Sequence, residues 1–279
     1  MVSSEAIVRD SKKTLEMTKI NSYERPLIQQ IFGSNPSTMA KAASIIVEKY
    51  SPEGIDINMG CPVHKMISNF NGAALMKDPE LASKIVKTVK ASLKIPVSVK
   101  MRAGWSKHDE CIEFAKVIED AGADLITVHG RTQKQGYSGI ANRDVVAKVK
   151  SSISIPVLYN GDIFSCDDFF NALEQTKCDG ALIARGALGN PWIFAQIEQC
   201  LTRQEPMTIT LKDRISVVLE HLDAHISLHG EKSLPTFRKH LSWYFKSVPK
   251  FKLYKIDLMK ARQKSEIIEI LNDFLAKQN

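Results

Sequence analysis

Several short stretches of this chain carry side chains able to do chemistry. In Gly54-Ile-Asp-Ile-Asn-Met-Gly-Cys-Pro62 a thiol, Cys61, stands between a glycine and a proline just past a β-branched run, with Asn58, His64 and Lys65 close in sequence. A thiol in a loop of polar and basic groups can have its acidity tuned or can hold a ligand, whereas a cysteine on a helix is usually an inert small hydrophobe. Cys111, Cys166, Cys178 and Cys200 read as the inert kind. In Ser98-Val-Lys100 a lysine closes an otherwise apolar run. An unpaired buried ammonium is costly, so Lys100 either meets an anionic or electron-rich partner or snorkels outward. His129-Gly-Arg131-Thr132 follows the next run with a ring donor and a glycine that admits close approach. Residue type alone leaves open whether His129 is a ligand donor or a satisfied core ring. Asn160-Gly-Asp162 and Ala184-Arg-Gly-Ala-Leu-Gly189 are glycine-rich turns. Such turns present free backbone N–H groups to phosphate, and Arg185 adds a fork-shaped donor. Together these groups suit a phosphorylated ring cofactor and a substrate that needs a proton.

The elements that must hold them are short strands alternating with amphipathic helices. The β-branched runs are Leu27 to Phe32, Gly54 to Asn58, Val97 to Met101, Leu125 to His129, Val157 to Asn160 and Ala181 to Ala184. Each reads as continuously apolar, which predicts parallel strands buried on both faces. Asn35 before Pro36, and Asp78 before Pro79, place a capping side chain ahead of a proline at the first helical position. The expected fold class is therefore α/β. Nearly every run ends in a polar residue at its C-terminal edge, and a (β/α)8 TIM barrel collects ligand groups from many strand ends around one mouth. An open doubly wound sheet concentrates them at a single switch point, so the barrel is the better reading. Only six strands are legible, and Met1 to Glu5 reads as the tail of a further one. The expectation is a barrel whose first β/α unit is missing from the sequence. After Pro206 the pattern changes to long helices, about 211–229, 234–245, 253–262 and 265–277, giving a barrel domain over 1–205 and a helical domain over 206–279.

Composition narrows the class. With 279 residues, 44% hydrophobic and 25% charged, the chain is of ordinary globular type, which excludes disorder, collagen and coiled coil. Its apolar runs are far shorter than the ~20 residues that cross a bilayer. No signal-like pattern opens it, so a soluble cytoplasmic protein is expected. Five scattered cysteines without a CxxC pair suggest neither a disulfide framework nor a metal site. The net charge of +7 is uneven: residues 201–279 hold 14 basic and 9 acidic side chains. Between 232 and 264 there are ten bases and one acid, Asp257, interleaved with Phe237, Trp243, Tyr244, Phe245, Phe251 and Tyr254. A basic stretch with interspersed aromatics reads as a polyanion surface.

In order along the chain, the segments MVSSEA, IQQIFGSNP, DINMGCPVHK, GAALM, VSVKMRAGW, VHGRTQKQGYSG, NGDI, ARGALGNPWIF and RKHLSWY resemble the tRNA-dihydrouridine synthases, most of all their bacterial branch. That resemblance implies a flavin enzyme that reduces uridine in tRNA with FMN and NADPH or NADH. It makes Cys61 the general acid and matches Gln30, Lys100, His129, Asn160, Gly161, Asp162, Ala184 and Arg185 to FMN-contacting positions. Asn58, Arg102 and Arg131 would line the same mouth and face the uracil, while Lys239, Lys250 and Lys252 would hold tRNA. No membrane or protein partner is implied, and a monomer is expected. Two departures stand out. The family's opening strand and loop of the type APMAGVTD, which cover the FMN, lie before this sequence's first residue, and Ala184 stands where the family usually has glycine. Two other functions stay open at this stage: an FMN barrel acting on a free pyrimidine, as in dihydroorotate dehydrogenase relatives, and a shortened tRNA-binding remnant.

Overall fold

Seven parallel strands form one sheet whose spatial order follows the chain. They are β1 (Val2–Ser3), β2 (Ile28–Phe32), β3 (Gly54–Met59), β4 (Val97–Arg102), β5 (Leu125–His129), β6 (Val157–Asn160) and β7 (Gly180–Leu182). Sequential parallel strands with helical crossovers make this a TIM-barrel-like α/β fold. The computed structural model describes residues 1–246 and 248–277. The crossovers hold α1 (Ser4–Val8), α2 (Lys12–Glu16), α3 (Pro36–Tyr50), α4 (His64–Ile67), α5 (Pro79–Ala91), α6 (Glu110–Asp120), α7 (Arg143–Ser152) and α8 (Cys166–Thr176). Both anticipated caps form: Asn35 accepts from the Thr38 N–H, and Asp78 from the Leu81 N–H, at 3.0 Å each.

The chain falls into two compact units, one of Met1–Asp162 and Asp168–Ile183, the other of Ile163–Asp167 and Ala184–Asn279. In the first, strand register aligns the functional side chains. Gln30 lies opposite Asp56 and Asp56 opposite Ser98; Asn58 lies opposite Lys100; Arg102 faces His129, which faces Asn160. Side chains alternate across a strand, and here the alternation sorts them. Ile55, Ile57, Val99, Met101, Ile126, Val128, Val157 and Tyr159 are fully buried, while the intervening positions carry Asp56, Asn58, Ser98, Lys100, Thr127 and His129. The expectation of continuously apolar strands is thus corrected for β3 and β4, whose sequences GIDINM and VSVKMR alternate because one face packs on helices and the other carries a polar ladder. β7 also differs. It ends at Leu182 and is half-buried throughout, because the backbone at Ala184 leaves the extended region to open the turn Arg185–Ala187.

The second unit contains α9 (Ile193–Leu201), α10 (Leu211–His229), α11 (Leu234–Tyr244), α12 (Lys252–Lys260) and α13 (Lys264–Ala276). A capping box starts α10, with Thr210 and Asp213 exchanging side-chain and backbone hydrogen bonds. Its core gathers Val218, Leu222, Phe237, Leu241, Leu258, Ile267 and Leu271 around Phe245 and Phe251, stacked at 4.3 Å between ring centres with Phe274 edge-on to both. The aromatics that the sequence places among the basic residues are therefore largely core. Phe237, Tyr244, Phe245 and Phe251 are buried, while Lys232, Lys239, Lys246, Lys250, Lys252, Lys255 and Lys260 are exposed. Among the described residues no helix is long and apolar enough to cross a membrane.

Candidate active site

Cys61 follows the C-terminal end of β3 and is held at both of its backbone ends. Its N–H donates to Asn58 Oδ1 at 3.0 Å, and its carbonyl accepts from the Ala73 N–H at 3.1 Å. Gly72 makes this approach possible: a Cβ there would stand 2.8 Å from the Cys61 carbonyl oxygen, and its φ of +61° is a left-handed value that favours glycine. The half-buried thiol lines a cleft of about 710 Å³ shared with Phe32, Ser34, Val63, Lys65, Met66 and Asn69. His64 and Lys65 sit exposed on α4.

Beneath the thiol lies the polar ladder. Gln30 donates to Asp56 Oδ2 at 2.5 Å, Ser98 donates to Asp56 Oδ1 at 2.6 Å, and Asn58 Nδ2 donates to Gln30 Oε1 at 2.9 Å. Burial raises the Asp56 carboxyl above its ordinary value, against the opposing pull of the Gln30 and Ser98 donors and the Lys100 charge. Lys100 itself is lowered to about 8, chiefly by burial and further by Arg102, while Asp56 and Cys61 pull it up. The strand lysine is thus a charged neighbour of Cys61. An ammonium so easily deprotonated is the kind that an anionic ligand edge would stabilise.

Arg102 and Arg131 are both buried, with their guanidinium groups on loop carbonyls and on Asp162. Arg102 is only 2% exposed, donating from Nε to the Gly60 carbonyl and from Nη1 to the carbonyls of Thr132 and Gly136, each at 2.8 Å. Arg131 is 3% exposed and grips Asp162 in a bidentate pair at 2.9 and 2.7 Å, with further bonds to the carbonyls of Ser138 and Gly139. A rigid guanidinium fork satisfies several loop carbonyls at once, which explains the residue type. These two arginines fasten the loops that carry the site. His129 is buried beside them, and burial plus the charges of Arg102, Lys100 and Arg131 lower it to about 3, so it is a neutral ring at physiological pH.

Asn160 donates to the Leu182 carbonyl at 2.7 Å. Gly161 has φ of +139°, and a Cβ there would stand 2.5 Å from the Ala141 methyl; Asp162 follows at φ +47° and also accepts the Ala141 N–H at 2.9 Å. Ala184 and Arg185 belong to the second unit, both exposed, with the Ala187 N–H closing the turn on the Ala184 carbonyl at 3.1 Å. Lys239, Lys250 and Lys252 are exposed in that unit. Among the described residues no group of three or more His, Cys, Asp and Glu could hold a metal ion. Sequence reading passed over Asp56 and Ser98, although the alternation in Gly54-Ile-Asp-Ile-Asn58 and Val97-Ser-Val-Lys100 places them on the same face as Asn58 and Lys100.

Comparison with known proteins places this geometry in context. The model of the family "Dihydrouridine synthase (Dus)" matches residues 1–279. The chain is 40% identical over 236 residues to a probable tRNA-dihydrouridine synthase 1 of Synechocystis sp., covering 84% of this chain and 66% of that protein. It is 38% identical over 253 residues to a probable tRNA-dihydrouridine synthase of Rickettsia conorii, covering 89% and 76%. With the tRNA-dihydrouridine synthase B of Pasteurella multocida it shares 39% identity over 222 residues, covering 78% and 67%. The matched part is thus about two thirds to three quarters of each relative's length.

Proposed function

This chain belongs to the dihydrouridine synthase family, and on that premise we propose that it reduces the C5–C6 double bond of uridines in the D-loop of tRNA, with Cys61 as general acid. The observation that carries the reading is the placement of Cys61, a thiol pinned by Asn58 and Ala73 over an inner face bearing Lys100, Gln30 and neutral His129. This donor set fits a flavin, because a cation, two amides and a neutral imidazole suit a hydrogen-bonding ring whose reduced form is anionic. When bound, FMN would supply the hydride, drawn from NADPH or NADH.

The chain's own residues do the rest. Lys100 stabilises negative charge at the ring edge, and the desolvation that lowers its proton affinity also strengthens every electrostatic contact it makes. Gln30 and Asn160 orient the ring through their amides. In the second unit, the backbone N–H at Ala184 and the Arg185 guanidinium are donors of the kind that suit a phosphate. Gly161 and Asp162, in conformations that a bulkier turn would resist, shape the loop beside the ring. Cys61 Sγ delivers a proton to uracil C5 as charge develops there, a role that suits an S–H donor held in the loop after β3. Arg102 and Arg131 serve indirectly, by fixing the loops that frame the uracil with Asn58.

The exposed lysines of the second unit, Lys239, Lys250 and Lys252 among them, contact the phosphates of tRNA while the target base is turned out of its stack. A cytoplasmic location is part of the same proposal. The test is flavin content of the purified protein, followed by NADPH oxidation with and without unmodified tRNA. Turnover that rises only when tRNA is added supports the reading. Turnover on free uracil and none on tRNA would replace it with a small-pyrimidine reductase.

A further inference from the structure

From the hydrogen-bond chain that runs under the thiol, we infer that Asp56 is a positioning residue that sets the orientation of the Gln30 and Asn58 amides and, through them, the geometry of the Cys61 loop. The inference rests on the reading of Cys61 as proton donor. Its physical basis is the direction of the chain. A primary amide can face a neighbour with either its oxygen or its NH2 end, and only the surrounding network decides which. Both Asp56 oxygens accept, Oδ1 from Ser98 and Oδ2 from Gln30, the pattern of an ionised carboxylate. An acceptor-only group forces the Gln30 NH2 toward itself, which turns Gln30 Oε1 toward Asn58. Asn58 must then offer its NH2 to Gln30, and its remaining oxygen is left to accept the N–H groups of Gly60 at 3.3 Å and Cys61 at 3.0 Å.

The order matters because the reversed arrangement is self-defeating. If Gln30 offered its NH2 to Asn58, Asn58 would turn its oxygen to Gln30 and its NH2 toward the Gly60 and Cys61 N–H groups. Donors would then face donors, and the loop that holds the thiol would lose its cap. One charge two residues along the strand from Asn58 thus decides the sense of four hydrogen bonds. The carboxylate is buried and is tied to Ser98 on the adjoining strand, so the reference point is rigid.

The test uses the full chain and reads the thiol directly. Iodoacetamide labelling followed by peptide mass spectrometry reports Cys61, with half-exposed Cys166 and Cys200 as internal controls. Asp56→Leu, which has no acceptor, should speed Cys61 labelling about tenfold while leaving the two controls within about twofold, and should lower kcat on unmodified tRNA by about tenfold or more with little change in KM. Asp56→Asn, which keeps an acceptor oxygen but can turn, should fall between Asp56→Leu and the wild type. Ser98→Ala, which leaves the charge in place but removes its tie to the adjoining strand, should fall between the wild type and Asp56→Leu. If Asp56→Leu does not fold, Gln30→Met removes the middle link, and it must produce the same selective rise at Cys61. Unchanged Cys61 labelling in a folded variant, or equal acceleration at all three cysteines, overturns the inference. A wild-type protein that fails to reduce tRNA would instead overturn the proposed function and leave the labelling result standing.

Discussion

Arg102 Nε donates to the Gly60 carbonyl, immediately before the thiol-bearing Cys61, at 2.8 Å. The same guanidinium also holds the carbonyls of Thr132 and Gly136, so one buried side chain joins the loop after β3 to the loop after β5. Three carbonyls at fixed angles suit a planar fork and do not suit an ammonium.

Replacing Arg102 should therefore cost stability as well as activity. Each buried acceptor left without a donor costs about 1–3 kcal/mol, so Arg102→Met should lose at least about 3 kcal/mol by denaturant unfolding. Arg102→Lys should lie closer to Arg102→Met than to the wild type. A lysine variant of full stability would show that charge, not geometry, is what the site requires.

The pair Arg131–Asp162 makes a similar demand. Asp162→Asn leaves an almost fully buried guanidinium without its counter-charge, a change that typically costs about 3–5 kcal/mol. Truncating both partners should be milder than truncating Asp162 alone. A double-mutant cycle checks this, and additive losses would remove the coupling.

Lys100 gives a pH signature. Burial holds its folded-state value near 8, below the ordinary lysine value of about 10.4. Between those values the unfolded chain carries a proton that the folded chain has shed, so unfolding free energy rises with pH across that window. Below about 8 the charge is buried and that stability is absent. Lys100→Met should abolish the rise, and it should also weaken flavin binding. An identical pH profile in wild type and variant would show that Lys100 does not carry the shift.

For the second unit, Lys250 and Lys252 changed to Glu should weaken tRNA binding and flatten its dependence on salt. Every tRNA phosphate that is no longer neutralised should reduce the slope by up to about one unit, with the flavin spectrum untouched. Filter binding at several salt concentrations reads this, and an unaltered slope would take both residues off the binding surface.

How much of this was legible in the sequence differs by element. The strands at 54–59, 97–102, 125–129 and 157–160 and the long helices from 211 onward appear within a residue or two of their expected limits, since β-branched runs and capped helices are local signals. The half-buried, cleft-lining position of Cys61 was legible because a thiol between Gly60 and Pro62 is out of place in a core. Asp56 was missed because an acid inside a strand looks like a packing defect until the facing Gln30 and Ser98 are known, and those come from 26 and 42 residues away. The loop carbonyls that Arg102 and Arg131 hold were not legible for the same reason. A sequence shows an arginine's charge, but whether its fork meets solvent or loop carbonyls depends on tertiary closure. The aromatics from Phe237 to Phe251 were drawn toward the surface by their basic neighbours, whereas their helical spacing turns them into the core of the second unit.

The central claim is that Cys61 gives the proton that completes uridine reduction. The most direct measurement loads wild type and Cys61→Ala with FMN, adds NADPH and an unmodified tRNA transcript, and follows by nucleoside mass spectrometry the uridines that gain two hydrogen atoms. The expected result is equal flavin content in the two proteins, dihydrouridine from the wild type, and a yield lower by about a hundredfold or more from the variant. Equal yields from both proteins, or none from a flavin-loaded wild type, would contradict it.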